Sequence, residues 1–223
     1  MIKKFITTSI SAVDIPDAWF QCVSRVLDVG FKYEIQHGSY VGQTRMEFDW
    51  ISVYIDKPYQ EPWNLMLPEI PPHLWIPNPV APGYIEQYMP KLLTDHIEPN
   101  EQYTYGSRMS SQFGHWLEVL KKTPNTNQAV LQVAEPNDCD LEDPPCLRHI
   151  DMRVKDGELI FYPYFRSWDL WGGFPANLAG IAVLQNTMAE ELKLKCGPML
   201  ASSKGLHLYG YVEELAKIRC NKE

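Results

Sequence analysis

A proline-dense segment sets the strongest limit on what this chain can fold into. Residues 57–83, KPYQEPWNLMLPEIPPHLWIPNPVAPG, hold eight of the eighteen prolines. Proline lacks a backbone N–H and has a fixed φ, so no regular helix or central strand survives at that density. The segment is also rich in Trp, Leu and Ile, which is untypical of a mobile linker. We therefore predict a long ordered loop within one domain that spans residues 1–223.

Composition excludes several classes of function. The chain has 223 residues, 45% hydrophobic content and a formal net charge of −8. A chain of this size can bury one sizeable core. Its negative charge disfavours sequence-independent binding to nucleic acid or to an anionic membrane. No run of 18 apolar residues occurs, and the first twenty residues lack the apolar stretch of a signal peptide. We predict no nucleic-acid partner and no membrane association.

The cysteines and histidines indicate a reduced chain without a metal. The five cysteines are odd in number, widely spaced and free of CxxC pairs: Cys22, Cys139, Cys146, Cys196 and Cys220. That pattern favours neither a disulfide framework nor a zinc site. The histidines at 73, 96 and 115 are scattered along the chain. We predict a cytoplasmic protein with no metal centre.

Local patterns predict an α+β fold. Residues 15–29 place apolar side chains at helical spacing, and residues 110–125 form a helix that stops before a proline. Asp156-Gly157 separates two apolar runs, as expected for a β-hairpin. A long apolar helix follows in NLAGIAVLQNTMAEELKL, and HLYGYVEELAKI reads as a strand leading into a last helix. We find no alternating βαβ order, so the strands are expected to be antiparallel, with separate helices.

The stretch DLEDPPCLRH, residues 140–149, contains the first candidate for chemistry. Two prolines stiffen the approach to Cys146, and Arg148 and His149 follow it. Neighbouring cations favour the thiolate, which is the form of cysteine that attacks electrophiles. The alternative is a small buried hydrophobic residue.

Two further segments carry polar side chains at short spacing. RSWDLWGGFPAN contains Arg166, Ser167, Asp169 and Asn177, a set suited to an anion and a planar ring that bears an amide. Taken alone, Asn177 could equally be a helix N-cap. In HLY, the side chains of His207 and Tyr209 share one face if the backbone is extended.

Together these segments resemble the thymidylate synthase family, which includes the pyrimidine nucleotide hydroxymethylases. Pro145-Cys146, RSWDLWGGFPAN and HLY occur in the family's order and spacing. The resemblance covers residues 103–215 well and the first hundred residues only faintly. It is greatest for the compact, archaeal-type members. It implies a single α+β domain with a largely antiparallel or mixed β-sheet packed by helices, assembled as a homodimer.

The resemblance also implies a role for each site residue. Cys146 would attack C6 of a pyrimidine, making C5 nucleophilic toward a one-carbon unit from 5,10-methylenetetrahydrofolate or a related reduced pterin. Arg166 would hold the substrate phosphate and favour the thiolate. The other implied contacts are Ser167 with the phosphate, Asn177 with uracil O4 and N3–H, His207 and Tyr209 with the sugar hydroxyl, Asp169 with the pterin, Tyr105 near the C5 proton, and Glu47 with proton-relaying water. A structural role remains the alternative for Tyr105 and His207.

One segment departs from the family pattern. Asn127 and Gln128 stand where family members carry two arginines that cross the dimer interface to the partner's substrate phosphate. Either Arg45, Arg148 or Lys204 compensates, or the substrate is not a simple 5′-monophosphate. We favour Arg148 as a substrate-binding residue, because in a strand it would point to the same face as Cys146.

These inferences predict an enzyme, a thymidylate synthase-like methyltransferase acting on a small uracil nucleotide such as dUMP. Three alternatives remain open. The first is a pyrimidine nucleotide hydroxymethylase, which adds water where the synthase adds hydride. The second is a biosynthetic variant that acts on a non-standard nucleotide or nucleoside. The third, from another class, is a nucleotide-binding homologue without turnover.

Overall fold

The computed structural model describes residues 5–38 and 40–223. The strands in these ranges are β1 (Thr7–Ala12), β2 (Phe31–Glu34), β3 (Thr44–Glu47), β4 (Trp50–Ile55), β5 (Val130–Gln132), β6 (Leu147–Lys155), β7 (Glu158–Phe165), β8 (Trp168–Asp169), β9 (Lys195–Ser203) and β10 (Leu206–Tyr209). The α-helices are α1 (Ile15–Val29), α2 (Tyr84–Leu93), α3 (Tyr105–Met109), α4 (Phe113–Lys122), α5 (Gly173–Glu191) and α6 (Glu213–Cys220). None of the helices in the described ranges combines the length and apolar character needed to cross a bilayer.

A six-stranded mixed sheet forms the larger part of the fold. Its strand order is β1-β4-β9-β7-β6-β5. The antiparallel pair β6 and β7 is joined at Asp156-Gly157, where φ is 53° and 81°. Positive φ at both positions is the requirement of a type I′ turn, which confirms the predicted hairpin. β9 pairs parallel with β7 and antiparallel with β4.

The core lies between this sheet and α5. Burial alternates along β7, and the inward side chains of Leu159, Phe161 and Phe165 are fully buried. Gln185 of α5 is buried among them. Its Nε2 donates to the carbonyls of Leu159 and Gly197, at 2.8 and 2.9 Å, where the β7–β9 register shifts. The amide thus satisfies backbone acceptors that the irregular ladder leaves without partners.

A smaller four-stranded sheet gathers distant parts of the chain. Its order is β2-β3-β10-β8. In the register, His207 of β10 lies opposite Glu47 of β3 on one side and Asp169 of β8 on the other. Tyr209 lies opposite Arg45. Residues opposite each other in a ladder point to the same face, so this sheet brings these polar side chains to one surface.

The proline-dense segment is ordered and packed, as predicted. Two short 3₁₀ turns, Trp63–Met66 and Pro72–Leu74, are its only regular elements. Met66 and Ile70 are buried in the main core, whereas Trp75 is 92% exposed. The segment therefore covers the core with apolar side chains although it lacks a helix or strand.

Several elements differ from the expectation. Helix α1 has the predicted bounds, beginning after Asp14, whose side chain accepts from Asp17 N. The helix predicted over 110–125 is shorter, because a 3₁₀ turn precedes α4. The expectation of antiparallel strands without βαβ order holds only in part: β7, α5 and β9 form a βαβ unit, and β1 also pairs parallel with β4. The sheet is thus mixed, within the predicted α+β class.

Candidate active site

A cleft of about 700 Å³ opens between the smaller sheet and the turn before β6. Five of the predicted site residues line it: Glu47, Cys146, Arg166, Ser167 and Tyr209. They come from four separate stretches of the chain, and the fold brings them together. No group of three or more His, Cys, Asp or Glu side chains in the described residues is arranged to hold a metal ion.

Cys146 sits at the end of the rigid Pro144-Pro145 turn, directly before β6. Its thiol is partly buried, and burial raises its pKa. The positive charges of Arg166 and Arg148 oppose that rise, whereas the Asp143 carboxylate adds to it. The thiol is therefore protonated at rest, and its ionisation depends on the nearby guanidinium groups.

Arg166 holds the turn that carries Cys146, the predicted nucleophile. Its Nε donates to the Pro145 carbonyl at 3.2 Å, and its Nη2 donates to the Pro144 carbonyl and to Asp143 Oδ1, the latter at 3.3 Å. The side chain remains 30% exposed, so part of the guanidinium still faces the cleft. Arg166 thus fixes the turn and supplies positive charge beside the thiol.

Glu47 lines the cleft, and the buried His207 lies opposite it in the smaller sheet. Glu47 Oε2 accepts from Tyr33 at 3.1 Å and pairs with Arg45 Nε at 3.3 Å. Burial raises the Glu47 pKa, and the charges of Arg45 and Lys204 oppose the rise. His207 Nδ1 donates to the Gly205 carbonyl at 2.9 Å, and burial lowers the His207 pKa to about 4.

The other nitrogen of His207 is an unsatisfied acceptor. Because the Gly205 carbonyl can only accept, Nδ1 carries the proton and Nε2 presents a lone pair. Nε2 is buried and has no hydrogen-bond partner among the described residues. A buried acceptor left this way is unfavourable by about 1–3 kcal/mol until a donor such as a hydroxyl reaches it.

A second pocket, of about 260 Å³, is lined by Tyr88, Tyr103, Tyr105 and Asn177. The Tyr105 hydroxyl accepts from Leu147 N at 3.3 Å, so this pocket adjoins the nucleophile turn. Burial raises the Tyr105 pKa well above its usual range, and the phenol stays protonated. Asn177 Oδ1 accepts from Trp168 Nε1 at 3.0 Å, and Asn177 Nδ2 donates to the Tyr88 hydroxyl at 3.0 Å. Asn177 is therefore held by side chains and is not an N-cap.

Comparison with known proteins identifies the family. The sequence model of the family described as "Thymidylate synthase" matches residues 87–223, more than half of the chain. The chain belongs to the thymidylate synthase family. That membership confirms the resemblance, and because the family is one of transferases it also confirms the prediction of an enzyme.

Individual relatives match the chain at low identity and with different coverage. A protein of Methanosarcina barkeri, described as "Putative thymidylate synthase", is 25% identical over 93% of this chain and 94% of its own. A thymidylate synthase of Listeria monocytogenes is 26% identical over 59% of this chain and 47% of its own. The thermostable thymidylate synthase A of Bacillus subtilis superposes with a TM-score of 0.71 at 16% identity, over 95% of this chain and 85% of that one. The last match confirms the predicted fold class.

In this thymidylate synthase family member, Arg148 is not where the sequence predicted it. Its side chain does not line the cleft; Nη1 donates to the Pro145 carbonyl at 3.1 Å and pairs with Asp138 Oδ2 at 3.3 Å. Asp138 is 3% exposed and also binds Arg108. The prediction assumed regular strand alternation, but β6 begins only at Leu147 and its register shifts before His149. Arg148 therefore stabilises the Pro144-Pro145 turn from outside the cleft.

Asp169 organises the turn into α5. Its carboxylate accepts from the backbone N–H groups of Trp171, Gly172 and Gly173, at 3.1, 3.1 and 2.9 Å. Such bonds compensate for donors that have no partner at a helix start. The predicted contact between Asp169 and a pterin stays a prediction.

Two residues that hold the Asn177 amide, Tyr88 and Trp168, were not identified from the sequence. Tyr88 follows the proline-dense segment in α2, a helix that the sequence analysis did not identify. Trp168 lies inside the recognised RSWD stretch but drew no attention, because the direction of an indole N–H cannot be read from spacing. Asn127 and Gln128 are exposed and lie outside the cleft of their own chain.

Proposed function

We propose that this protein transfers a one-carbon unit to C5 of a uracil nucleotide such as dUMP. The observation that carries the proposal is that Cys146, Arg166 and Ser167 line one cleft beside the pocket of Tyr105 and Asn177. A thiol, a guanidinium and a hydroxyl in one cleft suit nucleophilic attack on an anionic ligand. The adjoining amide suits recognition of a planar base edge.

In this proposal, Cys146 Sγ forms a bond to C6 of the base. The electron pair of the C5–C6 double bond then moves toward C5 and O4. Asn177 Nδ2 donates to the O4 oxygen on which negative charge accumulates. The guanidinium of Arg166 favours the thiolate that begins the reaction.

The C5 proton must leave after one-carbon transfer. Glu47 is suited to accept this proton through water, because burial raises the pKa of its carboxyl and so makes the carboxylate a stronger base. The Tyr105 phenol, which stays protonated, would orient that water as a donor. Hydride, which a bound reduced folate would supply, then gives a methyl product, whereas water gives a hydroxymethyl product. In either case the bond between Cys146 Sγ and C6 breaks, the C5–C6 double bond re-forms and the thiolate leaves. Methyl transfer is the outcome we propose.

A third cavity, of about 220 Å³, fits a reduced pterin. It is lined by Pro79, Tyr84, Gly172, Gly173 and Asn177 among others. A side chain at Gly172 would approach the Pro79 carbonyl to 3.2 Å, so glycine keeps the wall open. Backbone, an aromatic ring and an amide make a slot suited to a flat heterocycle. When bound there, 5,10-methylenetetrahydrofolate would supply the one-carbon unit, with Asp169 beside it.

We propose that the substrate phosphate is bound by Arg166, Ser167 and Lys204. Lys204 lines the cleft and forms no ion pair with the described residues, unlike Arg45 and Arg166. A Cβ at Gly205 would lie 2.9 Å from the Arg166 carbonyl, so the loop that carries Lys204 runs tightly against Arg166-Ser167. His207 Nε2 and Tyr209 would receive the sugar hydroxyl.

A second candidate is a substrate without a 5′-phosphate. It is favoured by the neutral, exposed Asn127 and Gln128 and by the balance of cleft charges, since Arg45 pairs with Glu47 and Arg166 with Asp143. Only Lys204 among these cations is free of a carboxylate in the described residues. The nucleoside deoxyuridine is the probe that separates the two candidates.

We propose that the protein is a homodimer built on the outer face of the six-stranded sheet. The outward positions carry Trp50, Tyr54, Tyr162, Tyr164 and Leu200, of which Tyr54 and Leu200 are 38% and 36% exposed. A sheet face of this kind is typical of a self-association surface. Sedimentation at micromolar concentration should give twice the 25.8 kDa mass of the chain, and a stable monomer would contradict the dimer.

The remaining proposals concern partners and location. A net charge of −8 supports a small-molecule substrate over nucleic acid. All five cysteines are free, which supports a reducing compartment, and we place the protein in the cytoplasm.

Tritium release tests the activity directly. Substitution at C5 displaces the C5 hydrogen, so 5-³H-dUMP should release tritium only when methylenetetrahydrofolate is added. The same assay with 5-³H-UMP, -dCMP, -CMP and -deoxyuridine identifies base, sugar and phosphate requirements. Absence of release from every compound would overturn the proposed function.

A further inference from the structure

The orientation of the Asn177 amide is fixed by Trp168, whose indole N–H can only donate a hydrogen bond. The Asn177 amide makes two side-chain hydrogen bonds, both at 3.0 Å: Oδ1 accepts from Trp168 Nε1, and Nδ2 donates to the Tyr88 hydroxyl. The two neighbours are not equivalent. A phenolic hydroxyl can donate or accept, so Tyr88 would tolerate either amide orientation. An indole N–H can only donate, so Trp168 requires the oxygen of the amide.

Trp168 itself cannot turn away. Its ring is 3% exposed and stacks on Phe165 with centroids 3.9 Å apart and an interplanar angle of 6°. Phe174 packs on it with a centroid distance of 4.6 Å. Its backbone N–H is held by the Gly205 carbonyl at 2.9 Å. Flipping the Asn177 amide would therefore turn a second donor toward the buried Trp168 N–H and leave that N–H without an acceptor, which is unfavourable by about 1–3 kcal/mol.

The fixed amide leaves one donor and one acceptor for a ligand. Nδ2 has a second hydrogen, and Oδ1 has a second lone pair. Uracil presents the complementary pair, an O4 acceptor and an N3–H donor. Cytosine presents the opposite pair, an N4 amino donor and an N3 acceptor. Asn177 could read cytosine only with its amide flipped.

We propose that Trp168 is a positioning residue that sets the preference for uracil over cytosine by holding the Asn177 amide in one orientation. The inference rests on the proposed function, since it assumes that Asn177 contacts the base. Trp168 touches no reacting atom; it acts through Asn177 alone. In this proposal, Asn177 contacts the base, and Trp168, which does not contact it, sets the selectivity by orienting Asn177.

The test is Trp168→Phe, which keeps an aromatic ring between Phe165 and Phe174 and removes the donor. Dissociation constants for dUMP and dCMP are measured by calorimetry on the full chain. The ratio of the dCMP constant to the dUMP constant should fall at least tenfold from wild type. Tyr88→Phe is the matched control: it also removes one Asn177 contact, but it should leave that ratio within about twofold, because Trp168 still fixes the amide.

A second variant guards against a packing effect of the smaller ring. Site-specific replacement of Trp168 by benzothienylalanine keeps the bicyclic shape and exchanges N–H for sulfur. The same fall in the ratio is expected. Suppose that wild type prefers uracil and that circular dichroism shows the isostere to be folded. An unchanged ratio of the dCMP to the dUMP dissociation constant in the isostere then overturns the role of Trp168 but not the proposed function. If wild type binds neither nucleotide and releases no tritium, the proposed function fails as well.

Discussion

The two ends of the candidate site hold their polar groups in different ways. Around Cys146 the groups are charged, they occur in pairs such as Arg166 with Asp143, and several are part-exposed. The hydrogen-bond partners of Asn177 are instead neutral and part-buried, and one of them, Trp168, packs among buried aromatic rings. Water screens the first set, and exposed ion pairs typically contribute about 0–1 kcal/mol. The second set is far less tolerant, because a lost buried bond leaves an unsatisfied group.

This difference assigns separate tasks to the two ends. A charged, part-exposed end can rearrange its pairs around an anion and still bind ligands of varied shape. A neutral, part-buried end, in which the Trp168 N–H can only donate, imposes one pattern of donors and acceptors. We therefore expect substitutions at the charged end to change affinity and thiol ionisation, and substitutions at the neutral end to change the choice of base.

The largest effect is expected where the two ends meet, at Cys146. Cys146→Ser should lower turnover by several orders of magnitude and leave dUMP affinity within a few-fold, because a hydroxyl is far less ionised than a thiol. Single-turnover tritium release and calorimetry measure the two quantities. Cys220→Ser, in α6 outside the cleft, should keep full activity. A serine variant that retains most of its rate would show that another group is the nucleophile.

At the neutral end, Asn177→Asp should reverse the choice of base. A carboxyl can accept from the cytosine amino group and, when protonated, donate to N3. Two reversed hydrogen bonds of about 1.4 kcal/mol each give a roughly 100-fold fall in the uracil-to-cytosine ratio of kcat/KM. Competition between dUMP and dCMP in the tritium assay measures it. The contrast between the two ends would be wrong if Asn177→Asp left the uracil-to-cytosine ratio unchanged while Lys204→Ala changed it.

At the charged end, Lys204→Ala should weaken dUMP binding about tenfold and leave deoxyuridine binding unchanged, because only the nucleotide carries the anion. Arg148→Ala should change the ratio of the two affinities by less than about threefold, since Arg148 pairs with Asp138 behind the turn. Calorimetry with both ligands separates these variants. Equal affinity of wild type for dUMP and deoxyuridine would mean that the substrate lacks a 5′-phosphate.

The smallest effect concerns the thiol pKa. Burial raises the Cys146 pKa, and Arg166 lowers it more than Arg148 does. Removing either cation should therefore raise the pKa further, by more in Arg166→Met than in Arg148→Met. The pH dependence of iodoacetamide alkylation of Cys146 reports the pKa directly. A lower pKa in either variant would contradict the sign of the charge effect.

Local signals in the sequence predicted the elements that depend on local interactions. Helix α1 follows from its apolar spacing and ends at Gly30, and the Asp156-Gly157 turn follows from residues that accept positive φ. β9 was missed because KCGPMLASS, with a glycine and a proline, carries no strand signal of its own. Its partners β4 and β7 are distant in sequence, and tertiary contacts determine its conformation.

The same distinction applies to the candidate site. The resemblance to the family, carried by the motifs around Cys146 and Arg166-Ser167, was enough to group these three residues, which line one cleft. Arg148 was misplaced because a register shift in β6 breaks the alternation on which the prediction relied. Trp168 was overlooked because its importance lies in the direction of one N–H bond, which exists only once β8 and α5 are in place.

The pairing of β10 with β3 and β8 has a consequence for how the protein folds. His207 finds its place only when β3 and β8 flank it, yet Glu47 and His207 stand 160 positions apart in the chain. Contacts of such long range are slow to form, since a large loop must close first. The pairing of β3 with β10, which places Glu47 beside His207, should therefore be among the last contacts to form during refolding. Regain of dUMP binding after dilution from urea should lag behind the helical circular dichroism signal, and simultaneous recovery would show that the two ends of the chain meet early.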